Sequence, residues 1–188
     1  FDEISFDGYS LPWIKKEIGK LCKDGRLIRF EKGTYYIPKE TVLGKSKLDP
    51  RKVIIRKYIR DREGTIGYFS GITFMNLIGI SAQMPNIWEI YTNNEQSRVR
   101  TVPVGNQMVV LRRSRTAINN ENAPTLSFLE LMNCTTSKFY DQEKRESIAK
   151  YIQNNRITRK SIAEYSPYFP DKAMRTMVES GIVYGITQ

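Results

Sequence analysis

Residues 10–38, SLPWIKKEIGKLCKDGRLIRFEKGTYYIP, decide how the front of this chain folds. They read as an amphipathic helix, a glycine turn and a short basic hairpin. Ser10 is of the type that caps a helix N-terminus, and Pro12 falls early enough that its missing N–H removes no helical bond. Leu11, Ile14, Ile18, Leu21 and Cys22 recur at helical spacing on one side, while Lys15, Lys16, Lys20 and Lys23 occupy the other with Gly19 among them. One face is able to pack and the other is positive. Gly25 is placed to end the helix in the left-handed region. Leu27–Phe30 and Thr34–Ile37 then read as two strands around Glu31, Lys32 and Gly33, closed by Pro38. A helix of major-groove dimensions followed by a basic two-stranded wing is the pattern of a winged helix-turn-helix, in which the helix reaches base edges and the wing reaches phosphates.

The rest of the composition bears on the partner. The chain holds 188 residues with 30 Lys and Arg against 20 Asp and Glu, a formal charge of +10 that favours a polyanion. Gly19 and Gly33 permit close approach to a backbone. Trp13 is read as core, with contact to DNA the alternative. Lysines on a helix face are otherwise simply a solvated surface. No apolar run is long enough to span a membrane, so no membrane partner is expected. The two cysteines, Cys22 and Cys134, lack metal-ligand spacing and fit a reduced, cytoplasmic protein. A helix-turn-helix needs a supporting helix before the recognition helix. Residues 1–9 have room only for a short one, over about 1–5, so the first helix of the domain is expected to be encoded upstream.

Residues 39–49, KETVLGKSKLD, are polar with Gly44 and Ser46 and set the domain boundary: a DNA-binding domain over 1–39, a linker over 40–49 and a second domain over 50–188. Asp49 and Pro50 open a strongly basic helix. Residues 67–85, GYFSGITFMNLIGISAQMP, read as a small-residue turn, a helix over 70–78 and a Gly79 stop. The segments 87–92, 98–104 and 107–113 are rich in β-branched residues and predict a small antiparallel sheet, with Gly105 and Asn106 in a hairpin turn. Arg98, Arg100, Arg112, Arg113 and Arg115 would form a cationic stripe there, or simply protect a sheet edge. Pro124 opens a helix, and further helices are expected over 141–155, 158–165 and 170–180, with Gly181 capping the last. The overall expectation is an α+β chain. The final helix-turn-helix-like stretch lacks a one-sided positive face and is read as a packing element or a protein-binding surface.

Lys32, Gly33, Thr34, Tyr35, Tyr36, Ile37 and Pro38, taken with the 67–85 segment, resemble the AbiEi family of type IV antitoxins. That family carries an R-G-x-Y-x-x-P wing followed by G-x-x-S-G-x-x-A-L-x-x-L-G-L-x-x-Q-x-P. Here Lys32 stands for the usual Arg, and Phe74 and Met75 for the small residue and Leu. Tyr168, Phe169 and Pro170 extend the resemblance toward the C-terminus. It implies a transcriptional autorepressor that binds inverted repeats of double-stranded DNA in its own promoter and neutralises a nucleotidyltransferase-like toxin.

Catalysis is tested against the same residues. The chain has no histidine, which removes Ser–His–Asp, Cys–His, imidazole acid–base and His-ligated zinc schemes. No Gly-rich phosphate loop occurs, and no cofactor is implied. A carboxylate nuclease built on Asp61 with Glu63, or on Glu89, stays open as an alternative, as does a protein-interaction module whose positive surface meets an acidic partner. The reading is therefore a DNA-binding repressor rather than an enzyme. Lys15, Lys16, Gly19, Lys20 and Lys23 lie at the groove and phosphates, and Arg26, Arg29, Lys32 and Tyr35 lie on the wing.

Overall fold

A computed structural model of the chain describes residues 8–42 and 44–186. The short helix expected over residues 1–5 lies outside the described residues. The fold is α+β and divides into two compact units, Phe1–Lys52 and Val53–Gln188.

The first unit begins with α1, Leu11–Lys23, which follows Ser10 in extended backbone. Ser10 makes no side-chain cap bond, so the start of the helix rests on Pro12 and on the bond from Ile14 N to Ser10 O. The other end is firmly closed. Gly25 takes φ +68°, its amide bonds Cys22 O, and Arg26 N bonds Leu21 O, the paired bonds of a Schellman cap. Strands β1 (Ile28–Glu31) and β2 (Thr34–Tyr36) follow as an antiparallel hairpin around Lys32 and Gly33, with a register irregularity between Arg29 and Glu31. Residues 40–49, read as a linker, hold regular structure. Strands β3 (Glu40–Thr41) and β4 (Gly44–Lys45) pair antiparallel, and Lys45 Nζ donates to Gly25 O at 3.0 Å.

Helix α2, Pro50–Ile54, carries the chain across the boundary between the units. Asp49 Oδ1 accepts from Arg51 N at 2.9 Å, as an N-cap should. The helix then widens into a π turn over Ile55–Ile59, closed by Arg60 N on Ile55 O at 2.8 Å.

The second unit is built on a four-stranded sheet in the order β5 (Gly67–Ser70), β6 (Ile87–Thr92), β8 (Gln107–Arg113), β7 (Val99–Val104). The sheet is mixed, not antiparallel as the sequence suggested: β6 runs parallel to β8, and the other two pairings are antiparallel. The physical reason lies in which strand of the Gly105–Asn106 hairpin docks on β6. β8 holds Met108, Val109, Val110 and Leu111 and suits an interior position, whereas β7 holds Arg100 and Pro103 and suits an edge. The segment read as a small-residue turn supplies the fourth strand. Gly67 is there because the strand lies against the π turn: a Cβ would stand 1.9 Å from Tyr58 O.

Helix α3, Gly71–Leu77, ends in a second Schellman cap, with Gly79 at φ +76° and Ile80 N bonded to Met75 O. It buries Thr73 and Phe74 but leaves Leu77 exposed, so it is not covered all round. Helix α4, Ala123–Cys134, is the centre of the core; Leu126, Phe128, Leu129, Leu131 and Met132 are all buried. Around it lie α5 (Gln142–Asn154), capped by Asp141, α6 (Arg159–Tyr165), started by a Thr158–Ser161 capping box, and α7 (Asp171–Glu179). α7 turns Ala173, Thr176 and Met177 into the core, which makes the C-terminal helix-turn-helix echo a packing element. No helix among the described residues is long and apolar enough to cross a membrane.

Candidate nucleic-acid interface

At 3.6 residues per turn, Lys15, Gly19, Lys23, Lys16 and Lys20 fall within an arc of about 140° on α1. All five are exposed. The opposite side carries Ile14, which is buried at 4% exposure, with Ile18, Leu21 and Cys22 half-buried. The helix therefore divides as its sequence suggested, except that Leu11 remains 53% exposed at its N-terminal end. Between residues 10 and 38 the seven basic side chains outnumber the acidic Glu17, Asp24 and Glu31, so the segment is net positive. Lys20 and Lys23 also sit in the last helical turn, where the helix dipole favours cations.

The arc is not uniformly free. Lys20 Nζ lies 2.6 Å from Glu17 Oε1, one helical turn away. That pair is exposed and cancels one positive charge locally. Glu17 was not singled out in the sequence, although its i, i+3 spacing to Lys20 was the available signal.

On the hairpin, Arg29 and Tyr35 are direct cross-strand partners and so share one face. Arg29 is exposed and Tyr35 half-buried, and Arg29 Nε reaches back to Glu31 O at 3.4 Å. Lys32 is exposed in the turn itself, where Gly33 at φ +83° satisfies the two-residue loop. Arg26 is exposed in the tie between helix and hairpin, its amide fixed on Leu21 O. The structure thus gathers the helix positions on one arc and pairs Arg29 with Tyr35 across the hairpin.

Trp13 departs from its reading as core. It is 45% exposed, and its ring stacks on Tyr9 with centroids 4.3 Å apart at 26°. The spacing of four residues between the two rings was the legible sign of a pair on one side.

In the second unit the arginines do not form a stripe. Arg100 bonds Glu95 at 2.8 Å, Arg112 lies 3.4 Å from Glu89, and Arg115 lies 3.0 Å from Glu130, so three of the five are engaged by carboxylates. Arg112 and Arg113, as neighbours on β8, point to opposite faces of the sheet. Burial raises the pKa of the Glu95 carboxyl, but the Ser97 amide and Arg100 outweigh it and hold it below the usual value. The carboxylates put forward for metal chemistry are also engaged elsewhere. Asp61 Oδ1 accepts from the amides of Glu63 and Gly64, and Glu89 lies against Gly71, where a Cβ would meet Glu89 Oε1 at 2.4 Å. Among the described residues no three His, Cys, Asp or Glu side chains gather closely enough to hold a metal ion. A separate open pocket of about 580 Å³ in this unit is lined by Ile55, Ile59, Phe69, Phe74, Leu77 and Tyr151 among others.

Compared with known protein families, curated proteins and solved structures, the chain matches none.

Proposed function

We propose that the first unit is a DNA-binding head of the winged helix-turn-helix kind and that the chain is an autorepressing antitoxin of the type IV class. The observation that carries the DNA reading is the arc of Lys15, Lys16, Lys20 and Lys23 around Gly19, exposed on a helix whose other side packs. The hairpin that follows it supplies Arg29, Lys32 and Tyr35 in the place of a wing. Cationic side chains in this arrangement meet phosphates and set register on a duplex, while small residues let the helix backbone approach. The antitoxin reading is supported by the resemblance of residues 32–38 and 67–85 to the AbiEi pattern. Its glycines fall where left-handed backbone is needed, at Gly33, Gly71 and Gly79.

A salt titration of binding tests the DNA reading. The full chain should shift a duplex carrying the promoter region of its own gene, with log K falling linearly in log salt. Lys16→Ala with Lys20→Ala should reduce that slope by about one to two units, because each phosphate-contacting lysine accounts for roughly one and Lys20 is shared with Glu17. Affinity and slope unchanged by both substitutions would remove α1 from the interface. A nucleotidyltransferase-like reading frame found immediately downstream would support the antitoxin role.

A second reading is favoured by exposed apolar side chains in the same unit, Leu11 at 53% and Ile37 at 77%. In it the positive face meets an acidic protein. Capture of such a partner that survives nuclease treatment, with no shift of promoter DNA, selects this reading over the first.

A further inference from the structure

Trp13 lies about 100° around α1 from the buried Ile14 and is exposed at the border of the lysine arc. Its side of the helix is shared by Lys16, Glu17 and Lys20, three, four and seven positions on, and Tyr9, just before the helix, packs on its ring. Tyr9 is 55% exposed and Trp13 45% exposed, yet their rings stack on each other. Two large aromatic groups held together in water, beside Lys16 and the Lys20–Glu17 pair, form an apolar step at the edge of a cationic surface. Aromatic side chains left exposed in such a cluster mark a contact surface rather than a core.

We propose that, in the DNA complex described above, the Tyr9–Trp13 pair is the base-reading element and takes the 5-methyl group of thymine at the floor of the major groove. The inference rests on the DNA-binding reading of α1. Lysines supply attraction to any sequence, because phosphates carry no base identity. Apolar groups at the groove edge discriminate, because thymine alone among the four bases presents a methyl group there. The stacked geometry favours this over insertion between bases: with centroids 4.3 Å apart, the two rings already cover each other, and a base entering between them would have to break that contact. The pair stands at the N-terminal end of the helix, the end whose residues reach base edges when a recognition helix enters a groove.

The test uses the full chain and two duplex polymers, alternating dA–dT and alternating dA–dU, which differ only in the methyl group. Wild type should bind the thymine polymer more tightly, by a factor of roughly four for each methyl group buried. Trp13→Ala should abolish that preference and leave the salt slope unchanged, since no charge is lost, while Trp13→Phe should restore part of it. In a Trp88→Phe background, Trp13 emission should change on addition of the thymine duplex. Equal binding of both polymers by wild type, or a preference that survives Trp13→Ala, overturns the proposal while leaving the lysine surface in place. Tighter binding to single-stranded poly(dT) than to either duplex also overturns it, in favour of base stacking. If neither duplex binds, the DNA reading itself fails and takes this inference with it.

Discussion

Arg115 donates from Nε to Glu130 Oε2 across 3.0 Å, and that carboxylate is 5% exposed in the middle of the core helix. Asn133 Nδ2 satisfies the other oxygen at 2.9 Å, and the guanidinium lies over the rings of Phe169 and Tyr91 at 5.0 and 5.9 Å. Removing one partner strands a buried charge. Arg115→Met should therefore destabilise the chain by about 3 kcal/mol, the lower end for a broken buried pair because Arg115 keeps some contact with solvent. The double variant Arg115→Met with Glu130→Met should recover most of that loss. Urea unfolding checks it: the midpoint of the single variant falls while its slope is unchanged.

Two glycines that look alike in the sequence should respond in opposite ways to a methyl group. At Gly67 a Cβ would stand 1.9 Å from Tyr58 O and 2.8 Å from Tyr91 O, both of them backbone atoms. Gly67→Ala should cost at least about 3 kcal/mol, because neither strand nor π turn is able to give way cheaply. At Gly19 a Cβ meets nothing within 4 Å, and the position is mid-helix. Gly19→Ala should stabilise the chain by about 0.5–1 kcal/mol and, on the proposed DNA-binding reading, weaken the complex, because the methyl stands on the lysine arc. Thermal unfolding and a mobility shift, run on the same preparations, separate the two effects.

Much of this pattern was legible because it depends on local chemistry. The caps at Gly25 and Gly79, the hairpin at Lys32–Gly33 and the packing side of α1 all follow from spacing within a few residues of one another. What was hidden depends on distant partners. The strand Gly67–Ser70 reads as a turn until β6 is there to pair with it, and the parallel β6–β8 pairing follows from competition between two hairpin strands for one edge. Arg112 and Arg115 carry no mark of the carboxylates that engage them, since Glu89 and Glu130 lie far off along the chain, whereas the Glu95–Arg100 pair was close enough in sequence to be read. Trp13 was misplaced for the reverse reason: its hydrophobicity suggested the core, but its angular position on the helix put it among lysines.

Tyr91 gives the core an alkaline limit. Burial, followed by the charge of Glu130, pushes its phenol up from about 10 to about 12, against the pull of Arg115 and Arg112. The folded state therefore holds the proton more tightly than the unfolded one. Stability from this group is fully present below pH 10 and is lost as pH rises toward 12, the range in which the unfolded chain alone is deprotonated. Phenolate absorbance should show exposed tyrosines titrating first and Tyr91 later, in step with unfolding. Tyr91→Phe should shrink the late step without removing it, because burial also pushes up the phenols of Tyr68, Tyr140 and Tyr151. Glu130→Gln should lower the pKa of Tyr91, because the charge opposing the phenolate is gone while Arg115 remains.

Glu17 offers the sharpest test of whether the lysine arc acts by charge. Its carboxylate holds Lys20 at 2.6 Å on an exposed surface, where an ion pair of this kind contributes well under 1 kcal/mol to folding. Glu17→Gln should accordingly leave the unfolding midpoint almost unchanged. It also releases Lys20 and, on the proposed DNA-binding reading, removes a negative charge from beside the duplex, so affinity should rise several-fold and the salt slope should steepen by up to one unit. Adding Lys20→Ala to Glu17→Gln should cancel the gain in slope, since no lysine is left to be released. Affinity that stays flat across Glu17→Gln, in a chain that does bind DNA, would place Lys20 outside the contact and narrow the helix's share of the interface to Lys15, Lys16 and Lys23.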